Sequence, residues 1–192
     1  MRGRTVVTTV GIVLAAGAGT RYGLPKALVS CDDGTPWLHR AVAALRGAGC
    51  DPVLVALGAE RDRASRLVPA RADVVEVPRW RDGMAESLRE ALRAADATDA
   101  DAAVIVPVDT PDLPAAVVAR VAAGATAASL ARAVYLGAPG HPVLIGRAHW
   151  HAVTASVRGD RGAGDYLAAH GARDIECADL WHGADIDRPA GT

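Results

Sequence analysis

The chain has 192 residues, 51% of them hydrophobic and 22% charged, which fits one folded domain spanning 1–192 and excludes a disordered, highly charged polymer. Twenty-one Lys and Arg against 22 Asp and Glu leave a formal charge of -1, without the basic excess that nucleic-acid binding needs, and 4% aromatics with no Phe argue against a platform for single strands. Three cysteines, Cys31, Cys50 and Cys177, are odd in number and form no C-x-x-C pair, so neither a disulfide framework nor a zinc cage is expected.

At the N-terminus, Arg2 and Arg4 precede an apolar run from Val6 to Ala18 that superficially resembles a secretory signal. Its β-branched content, and the loop it feeds, favour a first strand from Val6 to Leu14. No stretch reaches the roughly 20 apolar residues of a membrane span, so a cytoplasmic protein without a membrane partner is expected. Val29 to Cys31 and an Asp33-Gly34 turn then lead into a helix with Thr35 as N-cap and Pro36 at the first helical position. Leu38, Val42 and Leu45 share one face of it, and Gly47 and Gly49 stop it. A strand from Val53 to Leu57 follows, then a polar helix from about Glu60 to Leu67 whose Arg61, Arg63 and Arg66 read as a solvated face. A strand from Val74 to Val77 leads to a helix capped by Asp82, on which Met84, Leu88, Ala91, Leu92 and Ala95 form one apolar stripe.

The next strand, Ala102 to Val108, is a continuous apolar run suited to the middle of a parallel sheet, and it ends abruptly at Asp109-Thr110-Pro111-Asp112. A helix begins near Pro114. Thr126 to Val134 and Pro142 to Leu144 read as two strands around a Gly137 to Gly140 turn, an antiparallel addition to the sheet edge. Arg147 to Val157 and Gly162 to His170 read as helices. Strands alternating with helical segments specify a three-layer α/β/α, Rossmann-like, mostly parallel sheet.

The strongest chemical signal is Leu14-Ala15-Ala16-Gly17-Ala18-Gly19-Thr20-Arg21-Tyr22-Gly23-Leu24-Pro25-Lys26, directly after the first strand. At the carboxyl end of a strand, a loop of small residues can turn its N–H groups toward phosphate oxygens. Arg21 as a planar fork and Lys26 as a point charge then complete a triphosphate clamp. Two rival loops fail on spelling. A dinucleotide fingerprint needs G-x-G-x-x-G, whereas the spacing here is G-x-G-x-x-x-G and the second strand ends at Leu57-Gly58 without an acid. A Walker A loop needs Lys directly after its last Gly, whereas Leu24 and Pro25 intervene.

This loop resembles the L-A-[AG]-G-x-[SG]-x-R-x-G-x-x-K signature of the MobA-like nucleotidyltransferases, and its Ala15-Ala16 form is similar to the molybdenum cofactor cytidylyltransferase branch. Further matches run along most of the chain. Asp82 to Leu88 resembles a G-M-x-x-S-L segment, Val108 to Pro111 a D-x-P metal site, Gly140 to Leu144 a G-H-P-V segment, Gly159 to Ala163 a G-D-x-G-A segment, and Asp185 to Pro189 the sequence D-I-D-T-P. Gly19, Tyr22, Gly164 and Arg188 depart from the branch, where Ser, Met, Arg and Thr are usual. The resemblance implies the nucleotide-diphospho-sugar transferase type of the fold. It also implies a transfer of CMP from CTP, with Mg²⁺, onto a phosphorylated acceptor such as molybdopterin, and transient contact with a molybdoenzyme or its chaperone. GTP as donor, a sugar-phosphate or phospholactate-type acceptor, and a non-catalytic nucleotide-binding escort remain open beside it.

Arg21, Lys26 and Asp109 are the expected catalytic residues, and Leu14, Ala15, Ala16, Gly17, Gly19, Gly58 and Ser87 join Arg21 and Lys26 in holding the nucleotide. Asp109, ending a buried strand, suits a magnesium ligand or equally a turn residue before Pro111; the resemblance implies the metal. Asp187, or else Asp185, is the expected second ligand, against a solvated tail turn. Ser87 near a helix start suits phosphate or ribose, and Gly58 lets a base lie against backbone. His141 is the acceptor contact the resemblance suggests, a structural turn histidine being the plain alternative. His39, His149, His151, His170 and His182 show no ligand spacing.

Overall fold

A computed structural model describes residues 7–188, so Val6 of the first expected strand and Pro189 of the tail motif lie outside the described residues. The strands are β1 (Thr9–Leu14), β2 (Val53–Leu57), β3 (Asp73–Glu76), β4 (Ala102–Pro107), β5 (Leu130–Tyr135), β6 (Ala138–Gly146) and β7 (Arg173–Glu176). The helices are α1 (Trp37–Gly47), α2 (Arg61–Ala64), α3 (Met84–Asp96), α4 (Ala115–Ala122), α5 (Arg147–Ser156) and α6 (Gly164–Ala169).

The strands form one sheet in the order β3-β2-β1-β4-β6-β5-β7, parallel except where β6 pairs with β4 and β5. β1 and β4 are apolar at consecutive positions because both faces are covered. Val10, Ile12, Val13, Val104, Ile105 and Val106 are each at most 1% exposed. On one face they pack with Leu38, Leu45, Val117 and Val121 of α1 and α4; on the other, with Leu88, Leu92, Trp150 and Leu167 of α3, α5 and α6. Each buried Leu or Val contributes roughly 1.5–3 kcal/mol to this three-layer core.

Chain direction places the site. The first three strands step outward from β1, and β4 returns to the other side of β1, pairing Leu14 with Pro107 at their carboxyl ends. The loops leaving β1 and β4 therefore diverge and open a crevice, the place where parallel α/β sheets bind ligands.

Several local expectations are corrected. Thr35 does not cap α1. Its carbonyl accepts the Cys31 N–H at 2.8 Å, its N–H is held by Asp33 at 2.9 Å, and the helix starts one residue later, with Pro36 in the capping position. Asp82 does not cap α3 either: its carboxylate pairs with Arg79 at 2.8 Å, and Gly83 precedes the helix. Gly83 is required there, because with φ +106 a Cβ would lie 2.4 Å from the Gly159 backbone. The hairpin turns tightly at Leu136-Gly137, both with positive φ, and β6 begins at Ala138. The β5–β6 hairpin is not the rim of the sheet, since β7 pairs in parallel with β5. β7 is four residues long and mostly exposed, too short to leave a periodic signal.

Candidate active site

The loop after β1 is built to leave its amides free. Ala15 N–H still donates to Ala56, and Tyr22 and Gly23 close a turn onto the Gly19 carbonyl at 2.9 and 2.8 Å. Between them, the N–H groups of Gly17, Ala18, Gly19, Thr20 and Arg21 have no protein acceptor among the described residues. Gly19 is the residue the turn demands: at φ +63 its missing Cβ would sit 1.9 Å from the Leu24 carbonyl oxygen. Such a run of free donors at a strand's carboxyl end forms an anion-binding concavity.

The loop ends at Lys26, the sole lysine of a chain whose other basic side chains are all arginine or histidine. Its Nζ donates to Asp109 Oδ2 at 2.7 Å and to Asp187 Oδ1 at 2.9 Å, and Arg21 reaches Asp187 Oδ2 at 3.1 Å. Burial pushes the Lys26 ammonium toward a lower pKa, but hydrogen bonds and charge from Asp109 and Asp187 outweigh it and hold it above the usual lysine value. Lys26 in turn holds the Asp187 carboxyl below the usual range, with Arg21 adding to the pull.

Asp109 leaves the end of β4 and its side chain does no capping work; the turn there is closed instead by Thr110 Oγ1 donating to the Pro107 carbonyl at 2.9 Å. Asp185 and Asp187 arrive from the tail, where Ile186 N–H donates to the Asp109 carbonyl at 2.9 Å. Ile186 packs against the core, and the two acids flanking it meet Asp109, with carboxylate oxygens of all three within 4.8 Å of one another. The tail is fastened from behind by Tyr135, whose ring stands edge-on to Trp181 at 5.5 Å and fills the space a side chain at Gly183 would need.

The cleft has a volume of about 490 Å³, within the range of small-molecule sites. It gathers Leu14, Ala15, Ala16, Gly17, Gly19, Arg21, Lys26, Ser87, Asp109, His141 and Asp187, all expected from sequence, with Asp185 beside them. Ser87 comes from the first turn of α3, and the Met84 side chain beside it is 47% exposed. His141 enters from β6, its backbone carbonyl accepting the Tyr135 hydroxyl at 2.6 Å. Burial pushes its imidazole below the usual value, against the pull of Asp109 and Asp185.

Gly58 is the exception. It directly follows β2 and does not line the cleft; the Trp80 side chain stands over it, 2.5 Å from where a Cβ would lie. Trp80 and Arg81, which sequence reasoning missed, form that wall instead. The one available signal was a tryptophan three residues before the glycine that opens a helix, in a chain with four tryptophans and no Phe.

A divalent cation fits the donor set. Asp109 Oδ1 is buried without a partner among the described residues, and three carboxylates converge on one point, a hard-oxygen environment suited to Mg²⁺ or Mn²⁺.

Comparison with known proteins bears on this site. The family model for the MobA-like NTP transferase domain matches residues 11–174. The nicotine blue oxidoreductase of Paenarthrobacter nicotinovorans is 31% identical across 92% of this chain and 91% of its own. A probable molybdenum cofactor guanylyltransferase of Rhodopirellula baltica is 30% identical over 54% of this chain and 49% of its own. Among solved structures, Rv0371c from Mycobacterium tuberculosis H37Rv superposes with a TM-score of 0.80 at 27% identity, covering 96% of this chain and 95% of that one. The same protein is also known in complex with manganese, with a TM-score of 0.74 at 26% identity over 89% of each chain.

Proposed function

The chain belongs to the MobA-like NTP transferase family, and from that premise we propose that it moves CMP from CTP onto a phosphorylated acceptor, molybdopterin first among them, releasing pyrophosphate. One observation carries the reading: Lys26 bridges Asp109 and Asp187 beneath a loop of free N–H groups, while Asp109 Oδ1 keeps an unused lone pair. Cation, anion-binding amides and metal-binding carboxylates thus converge in one cleft, as nucleotidyl transfer requires.

In the reaction an acceptor phosphate oxygen forms a bond to the α-phosphorus as the bond from that phosphorus to the pyrophosphate oxygen breaks in line. The amides of residues 17–21 hold the phosphates, and Arg21 and Lys26 neutralise charge spreading onto the leaving pyrophosphate. Asp109, Asp185 and Asp187 would hold a magnesium ion, which when bound supplies Lewis-acid neutralisation of phosphate charge. Acids and bases have little covalent work here, so acceleration comes from placement. His141, across the cleft on β6, is the contact for the acceptor.

The Ala15-Ala16 form of the loop supports CTP, whereas the guanylyltransferase name of the Rhodopirellula relative supports GTP. A second reading rests on the Paenarthrobacter relative, which matches nearly the whole chain and is named an oxidoreductase; on it, the cleft takes a nicotinamide nucleotide. A thermal-shift panel separates these. A magnesium-dependent rise with CTP, followed by pyrophosphate release on adding acceptor, supports the first reading. A rise with GTP alone changes the base, and a rise with NADPH and none of the triphosphates replaces nucleotidyl transfer with hydride transfer. A ligand at 100 times its Kd adds about 2.7 kcal/mol, so each outcome is readable.

A further inference from the structure

The wall of the cleft formed by the segment before α3 carries chemistry that phosphate and metal binding do not use. Trp37, Trp150 and Trp181 are 4%, 3% and 8% exposed and sealed in the core. Trp80 is the remaining tryptophan, half-buried and facing the cleft together with Ala16, Gly17, Met84 and Ser87. Its seat is prepared by Gly58, where a Cβ would lie 2.5 Å from Trp80 Cβ and 2.6 Å from Cγ, and 2.8 Å from the Ala16 carbonyl oxygen. The absent side chain at the end of β2 thus lets an indole stand at the edge of the phosphate-binding loop.

The indole face already carries a planar group. The Arg81 guanidinium carbon rests 4.3 Å from the ring centroid. Arg81 is exposed and makes no ion pair among the described residues, whereas the neighbouring acids are engaged elsewhere, Asp82 by Arg79 and Glu86 by Arg89. The face is therefore flat and open enough for a planar group at stacking distance, and no carboxylate locks its present occupant in place.

We propose that the Trp80 indole is the stacking surface for the planar heterocycle of a substrate, taken on the face where Arg81 rests. The inference rests on nucleotidyl transfer, which supplies two such rings, the nucleobase of the donor and the pterin of the acceptor. Both present a π-face, and aromatic stacking is tolerant of ring identity. It also assigns Gly58 its place: it seats Trp80, and Trp80 meets the ring.

Intrinsic fluorescence tests this directly, since the other three tryptophans are buried. CTP or GTP with Mg²⁺, or free pterin, quenches Trp80 emission, and tripolyphosphate, which has no ring, does not. Quenching by nucleotide assigns the surface to the donor base; quenching by pterin alone assigns it to the acceptor. In calorimetry, Trp80→Ala weakens the quenching ligand about tenfold or more and leaves tripolyphosphate unchanged, while Trp80→Phe retains most of the affinity. Equal affinity of Trp80→Ala and the parent for nucleotide and pterin overturns the proposal. So does a parallel loss of tripolyphosphate binding, which marks general damage to the cleft. Pyrophosphate release, measured separately, keeps the two ideas apart. Release with an unaffected Trp80→Ala variant removes the stacking surface and leaves the reaction. Ring-dependent quenching without release removes the reaction and leaves the surface.

Discussion

Two charged clusters, one at the carboxyl edge of the sheet and one between α3 and α5, are built from similar groups and finished differently. In the second, Glu86 and Arg89 are mostly buried, at 9% and 17% side-chain exposure, and Arg89 spends its donors on Glu86 and on the carbonyls of Thr154 and Val157. The helices are thereby tied together with each of the three Arg89 guanidinium nitrogens engaged. In the first, Lys26 and Asp109 are equally sheltered, at 15% and 17%, yet Asp109 Oδ1 has no partner and a run of loop amides faces the cleft. A closed network stabilises the fold; an open one keeps capacity for a ligand.

That contrast can be broken by mutation. Arg89→Ala strands the Glu86 carboxylate and two carbonyls, and is expected to lower unfolding free energy by about 3 kcal/mol in a denaturant titration, with pyrophosphate release per folded molecule near the parent's. A stable but inactive variant would place Arg89 in the site. Lys26→Ala should do the reverse, lowering kcat/KM more than tenfold with a modest change in stability. Lys26→Arg is not expected to rescue it, because a planar fork does not replace a point charge between two carboxylates. Because Lys26 is the sole lysine, a dialdehyde nucleotide with borohydride should label one ε-amine, and mass spectrometry should find it at position 26.

Asp187→Asn removes one of three converging carboxylates and is expected to raise the Mg²⁺ concentration for half-maximal activity about tenfold, measured by metal titration. An unchanged requirement would move the metal to Asp109 and Asp185. The smallest effect lies in pH. Asp187, held below its ordinary value, contributes stability that is present above the unfolded aspartate pKa and is lost as pH falls through its lower folded value. Lys26, held above its ordinary value, contributes stability that is complete below the unfolded lysine pKa and is lost as pH rises through the elevated one. Melting temperature should thus change little with these groups near neutrality and fall at both extremes, and Asp187→Asn should flatten the acid limb and, by removing one of the two carboxylates that raise Lys26, make the alkaline limb shallower as well.

Much of this was legible in the chain. The apolar runs at Val53–Leu57 and Ala102–Pro107 can be buried on both faces only in a covered parallel sheet, and the glycine spacing before Lys26 already separates this loop from the dinucleotide and Walker A loops. Helix starts were less legible, because backbone contacts set them. Thr35 is engaged in a tight turn, and Gly83 is pressed against Gly159, a segment 76 positions away in sequence. β7 left no pattern because it has only four residues, three of them exposed.

The amino-acid sequence alone determined the strand and helix alternation, the glycine-rich loop after the first strand and the identity of most groups that face the cleft, since those follow from local periodicity and from residue types placed after a strand. It also carried the acids at 109, 185 and 187, but not their meeting, which depends on the Ile186 amide finding the Asp109 carbonyl across the fold. Nor did spacing assign Gly58, whose meaning lies in the indole of Trp80 standing over it. Contacts between segments far apart in sequence have no local signature. Tertiary packing decides them, because close approach and unsatisfied lone pairs exist only once the layers have closed.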